Sequence, residues 1–341
     1  MNNRPIIIAT RGSALALAQA NNVLGLCRAA FPERAFEIKI IKTTGDKLQT
    51  ASMANPNSSL PKGLFTKELE VALLNQQADL AVHSLKDLPT ELPAGLKLGA
   101  VGPRADVRDV LVYRDADWVQ KQKSEGPPQE WVVGQPQQRG CPPKTHLKDL
   151  PPGFVVATSS VRRKAQILAK RPDLNVVEIR GNVATRLQKL HDQADIDATI
   201  LAAAGLERLH FTIAASGHLH GENIPEGLCA TRLDIREMLP AVGQGAVGIE
   251  IREGDERMEA ICARLNHEPT WVAVTAERAF LMAMGGGCQT PTAAHAHVSG
   301  ATVHMEALNT IGSAAHRAEA RRPLAEAVEL GQFLAAELSG R

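Results

Sequence analysis

Aromatic residues are scarce in this chain: seven Phe, three Trp and one Tyr among 341 residues. That argues against the stacking platforms on which proteins hold single-stranded nucleic acid. An excess of charge is also missing. Lys and Arg total 38 against 37 Asp and Glu, a net charge of +1, so no global field draws the chain to nucleic acid or to an anionic membrane. An anionic ligand must then be read by local arginines. No apolar run is long enough to span a bilayer. The opening residues, Met1 to Ile8, run directly into a strand pattern and lack the apolar segment of a secretory signal. The five cysteines, Cys27, Cys141, Cys229, Cys262 and Cys288, are odd in number, scattered and free of any C-x-x-C pair. Their spacing argues against a structural zinc site or a disulfide framework and fits a reducing cytoplasm. No metal is expected.

What the chain does contain is an alternation of strand-like runs and helical patterns, the signature of an α/β fold with mostly parallel sheets. Ile6–Thr10 is β-branched, and Ser13 is a natural N-cap for an Ala/Leu-rich helix reaching about Ala30. Phe36–Lys42 reads as a strand, Leu64–Gln76 as a helix and Asp79–His83 as a strand. A second set of units follows: strand Phe154–Ala157, helix Val161–Lys170, strand Asn175–Ile179, helix Val183–Leu190 and strand Ala198–Ala202. The last part predicts a helix over Val272–Met284, two strand-like runs and a helix near Leu324–Leu338. Gln49–Pro61 reads as a mobile loop, and Lys121–Pro152, crowded with Pro, Gly and Gln, as an extended insertion.

The polar residues of interest fall at strand-to-helix turns or in the first helical turns beyond them: Arg11, Ser13, Lys86, Asp87, Thr158, Ser159, Ser160, Arg162, Arg163, Arg180 and Arg186. In open α/β sheets, ligands bind outside the carboxyl ends of the strands. Helix N-termini there present free N–H groups to anions, and arginine pairs with a carboxylate through two hydrogen bonds. Several such places in one chain suggest a ligand with several carboxylates or phosphates. Arg162 and Arg163 oppose the dipole of the helix they begin, so an anion between them is expected to offset that cost. His83 reads as a hydrogen-bonded structural histidine. Asp87, beside Lys86, is either a surface ion pair of little worth or the one anion of a cationic site, able to stabilise positive charge on a substrate nitrogen. Cys288 follows Gly285-Gly286-Gly287, a setting that opens a thiol to modification.

Together these segments resemble the porphobilinogen deaminase family, nearly end to end. The resemblance is carried by Ala9–Ser13, Lys62–Leu69, Ala81–Pro89, Thr158–Arg163, Arg180–Leu187, Leu239–Ala246 and Gly286–Gln289. It implies two α/β lobes like those of periplasmic binding proteins with a cleft, plus a small α+β C-terminal domain. The implied bounds are 1–104 with 245–264, then 105–244 including an insertion at about 121–150, then 267–341. The implied reaction joins four porphobilinogen molecules head to tail, releasing ammonia and giving hydroxymethylbilane for haem biosynthesis. The implied cofactor is dipyrromethane, held by a thioether to Cys288. Asp87 and Lys86 would be catalytic. Lys86, Asp87, Ser84, Thr158, Ser160, Arg162, Arg163, Arg186 and Gly181 would bind the cofactor with Cys288. Arg11, Ser13, Phe65, Arg180, Arg186 and Gln244 would bind substrate. A cytoplasmic monomer with neither nucleic-acid nor membrane partner is expected.

Two other readings compete. A non-catalytic, two-lobed anion-binding protein would use the same fold but has no need of Cys288. A cysteine redox enzyme would want a nearby resolving cysteine, which the sequence does not supply.

Overall fold

The structure, a computed structural model, describes residues 4–45, 65–125, 135–286, 290–311 and 314–339. The chain divides into two compact units: Met1–Asp106, Ala241–Asn309 and His316–Arg341 in the first, and Val107–Pro240 with Thr310–Ala315 in the second.

The first unit opens with β1 (Ile6–Thr10), α1 (Ala14–Ala30), β2 (Phe36–Ile40), α2 (Lys67–Leu74), β3 (Leu80–Ser84) and β4 (Leu96–Val101). Ser13 caps α1, its Oγ accepting from Ala16 N at 3.3 Å. Gln19, Ala20, Val23 and Cys27, at helical spacing, form the buried face of that helix. β1 and β3 are buried almost throughout, as strands covered on both faces must be. Both of their pairings with neighbours β2 and β1 are parallel.

The second unit runs β5 (Asp109–Arg114), α3 (Ala116–Glu125), β6 (Val155–Ala157), α4 (Val161–Lys170), β7 (Asn175–Val177), α5 (Val183–Asp192), β8 (Ala198–Ala202), α6 (Ala203–Arg208), β9 (Thr212–Ile213), β10 (Leu219–His220) and β11 (Leu228–Arg232). Its main sheet has the order β11-β5-β8-β6-β7. All six residues of β5 are buried, and β6 lies parallel to both β7 and β8.

The chain then returns to the first unit as β12 (Val247–Arg252), which enters its sheet antiparallel between β3 and β4, giving the order β2-β1-β3-β12-β4. After α7 (Glu256–Leu265) come α8 (Glu268–Ala283), the antiparallel strands β13 (Thr292–Ser299), β14 (Thr302–Ile311) and β15 (Ala314–Pro323), and α9 (Ala327–Ser339). Ala273, Ala276, Phe280, Leu330, Leu334 and Leu338 share a core of their own there.

Three expectations are revised. Residues 121–125 belong to α3, which Asp115 starts by accepting from Asp117 N; its Gln/Lys-rich sequence carries little apolar periodicity. The C-terminal part has three strands instead of two, because β15 is Ala/Arg-rich and largely exposed. Its last helix starts later, after a 3-10 turn at Leu324–Glu326. The loop read at Gln49–Pro61 lies outside the described residues.

One buried group ties the first unit together. Glu277 of α8 has a wholly buried side chain. Its Oε1 accepts from Arg104 Nη1 (2.6 Å) and Ala296 N (2.7 Å), and its Oε2 from Arg104 Nη2 (3.0 Å) and Gly243 N (2.7 Å). Arg104 Nε donates in turn to Gln244 O at 2.9 Å. Removing one partner of a buried, hydrogen-bonded ion pair strands the other and costs about 3–5 kcal/mol. Glu277→Gln should therefore lower stability by several kcal/mol in urea unfolding, with the midpoint falling while the second unit keeps its own transition. An unchanged midpoint would show the carboxylate to be dispensable.

Candidate functional site

In the first unit the predicted residues gather at the carboxyl ends of adjacent β1 and β3. Arg11 and Ser13 follow β1. The Arg11 guanidinium lies over the Phe65 ring, 4.2 Å from its centroid, a cation–π arrangement that joins two predicted substrate residues. Ser13 Oγ is engaged as the cap of α1. At the end of β3, Ser84 Oγ exchanges hydrogen bonds with the Gln19 amide at 2.9 and 3.2 Å, anchoring the strand to α1. The chain then makes a 3-10 turn over Leu85–Asp87. Leu85 is buried beneath it, so Lys86 and Asp87 are turned outward. Lys86 Nζ is 3.5 Å from Gln244 Oε1. Asp87 is exposed and its carboxylate has no hydrogen-bond or ion-pair partner among the described residues.

The residues after Asp87 are clamped. Arg278, the residue following Glu277 on α8, donates through Nη2 to Pro89 O (2.6 Å) and Thr90 O (3.2 Å) and through Nη1 to Leu88 O (3.3 Å). At the end of the same helix the chain reaches Gly286, where an added Cβ would lie 3.2 Å from Thr90 Oγ1 and where φ is +58°. The segment leading to Cys288 thus leaves α8 beside the turn that carries Asp87. Cys288 itself lies outside the described residues.

His83 is the structural histidine expected, its Nε2 2.9 Å from Oε2 of the fully buried Glu250. Gln244 is wholly buried. Its neighbour Gly245 has φ +86°, and a Cβ there would strike Ala105 O at 2.6 Å, so only glycine fits.

In the second unit the predicted residues sit at the carboxyl ends of adjacent β6 and β7. Thr158 Oγ1 accepts from Ser160 N (3.2 Å), and Ser160 Oγ caps α4 by accepting from Arg163 N (3.4 Å). Ser159 Oγ donates to Ile179 O (2.7 Å) and accepts from Ile179 N (3.2 Å), stitching the two turns together. Arg180 is half-buried beside Glu178. Arg186 Nε donates to Gly181 O at 2.8 Å. Gly181 has φ +122° and would carry a Cβ 2.7 Å from the Thr185 side chain.

Arg162 and Arg163 do have an anion between them, but it is the protein's own. Both are buried, and Arg162 Nη1 (2.8 Å) and Arg163 Nη2 (2.7 Å) donate to the two oxygens of Asp109, which is 0% exposed. Their remaining bonds go to Leu239 O and Ile200 O, and the Nε of each is buried without a partner. The pair therefore fixes α4 from below. The sequence offers no local signal for Asp109, because its partners Arg162 and Arg163 lie 53 and 54 residues further along the chain.

Burial raises the Asp109 pKa, but the two guanidiniums and their hydrogen bonds outweigh it and hold the carboxyl well below the usual range. A folded pKa below the unfolded one, about 3.9, gives stability that is present above that value and lost as pH falls. Asp109→Asn should cost several kcal/mol at neutral pH, and its gap from the unmodified protein should narrow as pH drops below about 4. A gap independent of pH in that range would remove the charge from the account.

Comparison with known proteins gives consistent matches. The family model described as porphobilinogen deaminase, dipyromethane cofactor binding domain, matches residues 6–260, and that of the porphobilinogen deaminase C-terminal domain matches residues 271–340. The chain is 44% identical over 338 residues to porphobilinogen deaminase of Thermus thermophilus, covering 98% of this chain and 95% of the relative. It is 41% identical over 337 residues to that of Desulforudis audaxviator (98% and 94% covered) and 41% over 341 residues to that of Paracoccus denitrificans (99% and 94% covered). Likeness to the solved periplasmic aliphatic sulphonate binding protein of Escherichia coli is slight: 13% identity, TM-score 0.35, covering 82% of this chain and 70% of that one.

Proposed function

The chain belongs to the porphobilinogen deaminase family, and we propose that it joins four porphobilinogen molecules head to tail, with loss of ammonia, into hydroxymethylbilane. The observation that carries the assignment of residues is the Arg278 clamp. It holds Leu88–Thr90 against α8, which ends at Ala283 just before Gly286, so the Asp87 turn and the chain as far as Gly286 share one support.

The residues present fit a dipyrromethane group on Cys288. An exposed carboxylate with unmatched acceptors suits pyrrole N–H donors, and cations at the strand ends suit acetate and propionate groups. Bound there, the group supplies the free pyrrole α-carbon to which the substrate unit is joined. Lys86 and Arg186 hold its carboxylates, Ser84, Thr158 and Ser160 maintain the turns around them, and Gly181 gives the backbone room. Arg162 and Arg163 support α4 through Asp109. Arg11, with Phe65, and Arg180 bind the carboxylates and ring of incoming substrate. Ser13 orients Arg11 by capping α1, and Gln244 positions Lys86.

Asp87 carries the acceleration. When ammonia leaves, positive charge builds on the pyrrole nitrogen. A fixed carboxylate beside that nitrogen favours the transition state over the neutral ground state. Asp87→Asn should keep the fold and lose about 10²–10³-fold in kcat, the range for removing one preorganised electrostatic partner. Near-normal turnover would take Asp87 out of the mechanism.

The other four thiols are poor candidates for attachment. Burial raises the pKa of Cys27 and Cys141 to about 11 and of Cys229 and Cys262 to about 12, leaving almost no nucleophilic thiolate at neutral pH. Intact-mass analysis of the folded holoprotein should show an excess equal to two linked pyrrole units on the Cys288 peptide. Mild alkylation of the folded apoprotein should mark that peptide alone. Modification mapped to any other cysteine would overturn the assignment.

A cytoplasmic monomer acting on porphobilinogen completes this reading. Among the described residues no helix is long and apolar enough to cross a membrane.

A further inference from the structure

We propose that Asp115, His218 and Cys229 bind one zinc-class divalent ion, using side chains that the reaction does not. The cysteine spacing in the sequence suggests no such site, because its members are far apart along the chain. The second unit's sheet brings them together. Asp115 directly follows β5, Cys229 lies in β11 opposite Tyr113 of β5, and His218 bridges to Cys229 just before β10. One ligand atom from each residue falls within 4.8 Å of the other two. Zinc bonds of about 2.0–2.3 Å at tetrahedral angles set ligand atoms roughly 3–4 Å apart, so only small side-chain movements separate the cluster from a closed site.

The surrounding hydrogen bonds hold two of the ligands. His218 Nε2 lies 2.9 Å from Asp115 Oδ2, while the other ring nitrogen, Nδ1, is 3.0 Å from Ser216 Oγ. Asp115 Oδ1 is occupied by Asp117 N at 3.1 Å. Asp115 and His218 are thus each steered through a second atom, as outer partners steer ligands in metal sites. The carboxylate side chain is 10% exposed and the imidazole 36% exposed, and the thiol is buried. The imidazole edge therefore gives an ion a way in and leaves room for a water as fourth ligand.

Charge and softness choose the ion. Without a cation, burial and the adjacent Asp115 carboxylate both oppose a Cys229 thiolate. A dication reverses that balance. On binding, the Cys229 S–H bond breaks and its proton leaves to solvent. The imidazole binds through its Nε2 lone pair, with the Nδ1 proton toward Ser216. Two anionic ligands then match the charge of the ion. Thiolate with imidazole selects zinc or cobalt over magnesium or calcium.

The test uses the purified holoenzyme, stripped with a chelator and titrated with Co²⁺. The expected result is uptake of one ion per chain, a thiolate-to-cobalt charge-transfer band, release of protons to solvent and displacement by Zn²⁺. Cys229→Ser should abolish the band. His218→Gln, on the more exposed ligand, should weaken binding at least about tenfold, the loss that even an outer-partner change produces. Porphobilinogen turnover, followed in parallel, should be unaltered by His218→Gln. If Cys229→Ser does not fold, His218→Gln decides alone. No saturable uptake at micromolar Co²⁺, or a band and affinity that survive His218→Gln, would overturn the proposal and leave a hydrogen-bonded Asp–His pair beside a core thiol.

Discussion

The carboxylate of Glu277 is the constraint on which the first unit depends. A charge in the interior persists only when it is paired and hydrogen-bonded, and each donor to Glu277 comes from a different part of the chain. Arg104 precedes the passage into the second unit, Gly243 follows the return from it, and Ala296 belongs to the C-terminal sheet. Four charge-assisted bonds to one group leave these stretches a single mutual arrangement. The next residue on the helix, Arg278, then reaches the carbonyls of Leu88–Thr90. Two successive side chains of α8 therefore set both the crossing segments and the turn bearing Lys86 and Asp87.

The second unit uses the same device. There a single buried carboxylate, Asp109, holds two arginines at the start of α4. Cations at that end of a helix are unfavourable, and a fixed anion beneath them removes the conflict. The Ser160 cap and the Thr158 turn are held in place by the same local frame. In both units, the groups assigned to ligand recognition stand on turns braced by arginines: Arg278 on the carbonyls of Leu88–Thr90 in the first, and Arg162 and Arg163 on Asp109 in the second.

Much of this was legible in the sequence wherever the signal was local. Ile6–Thr10, the Ser13 cap and Val161–Lys170 follow from β-branched runs, capping chemistry and helical periodicity, and the structure has them at those positions. The turn residues at the strand ends were legible for the same reason. Hidden were the interactions that join distant stretches. Nothing near Asp109 marks it as the partner of Arg162 and Arg163, and nothing near Glu277 points to Arg104. β15 was missed because an edge strand of Ala and Arg has no apolar alternation to read. Residues 121–125 give no helical signal because a solvated helix of Lys and Gln leaves little hydrophobic trace.

The place of β12 has a consequence for how the molecule is made. The sheet of the second unit draws all its strands from residues 109–232, whereas that of the first unit needs Val247–Arg252 between β3 and β4. As the chain leaves the ribosome, the N-terminal strands emerge first but must wait, with β3 and β4 lacking their shared neighbour, until the whole second unit has followed. The usual order, in which N-terminal domains fold first during synthesis, is inverted. The later unit can close its sheet while the earlier one still exposes the strand edges that invite aggregation.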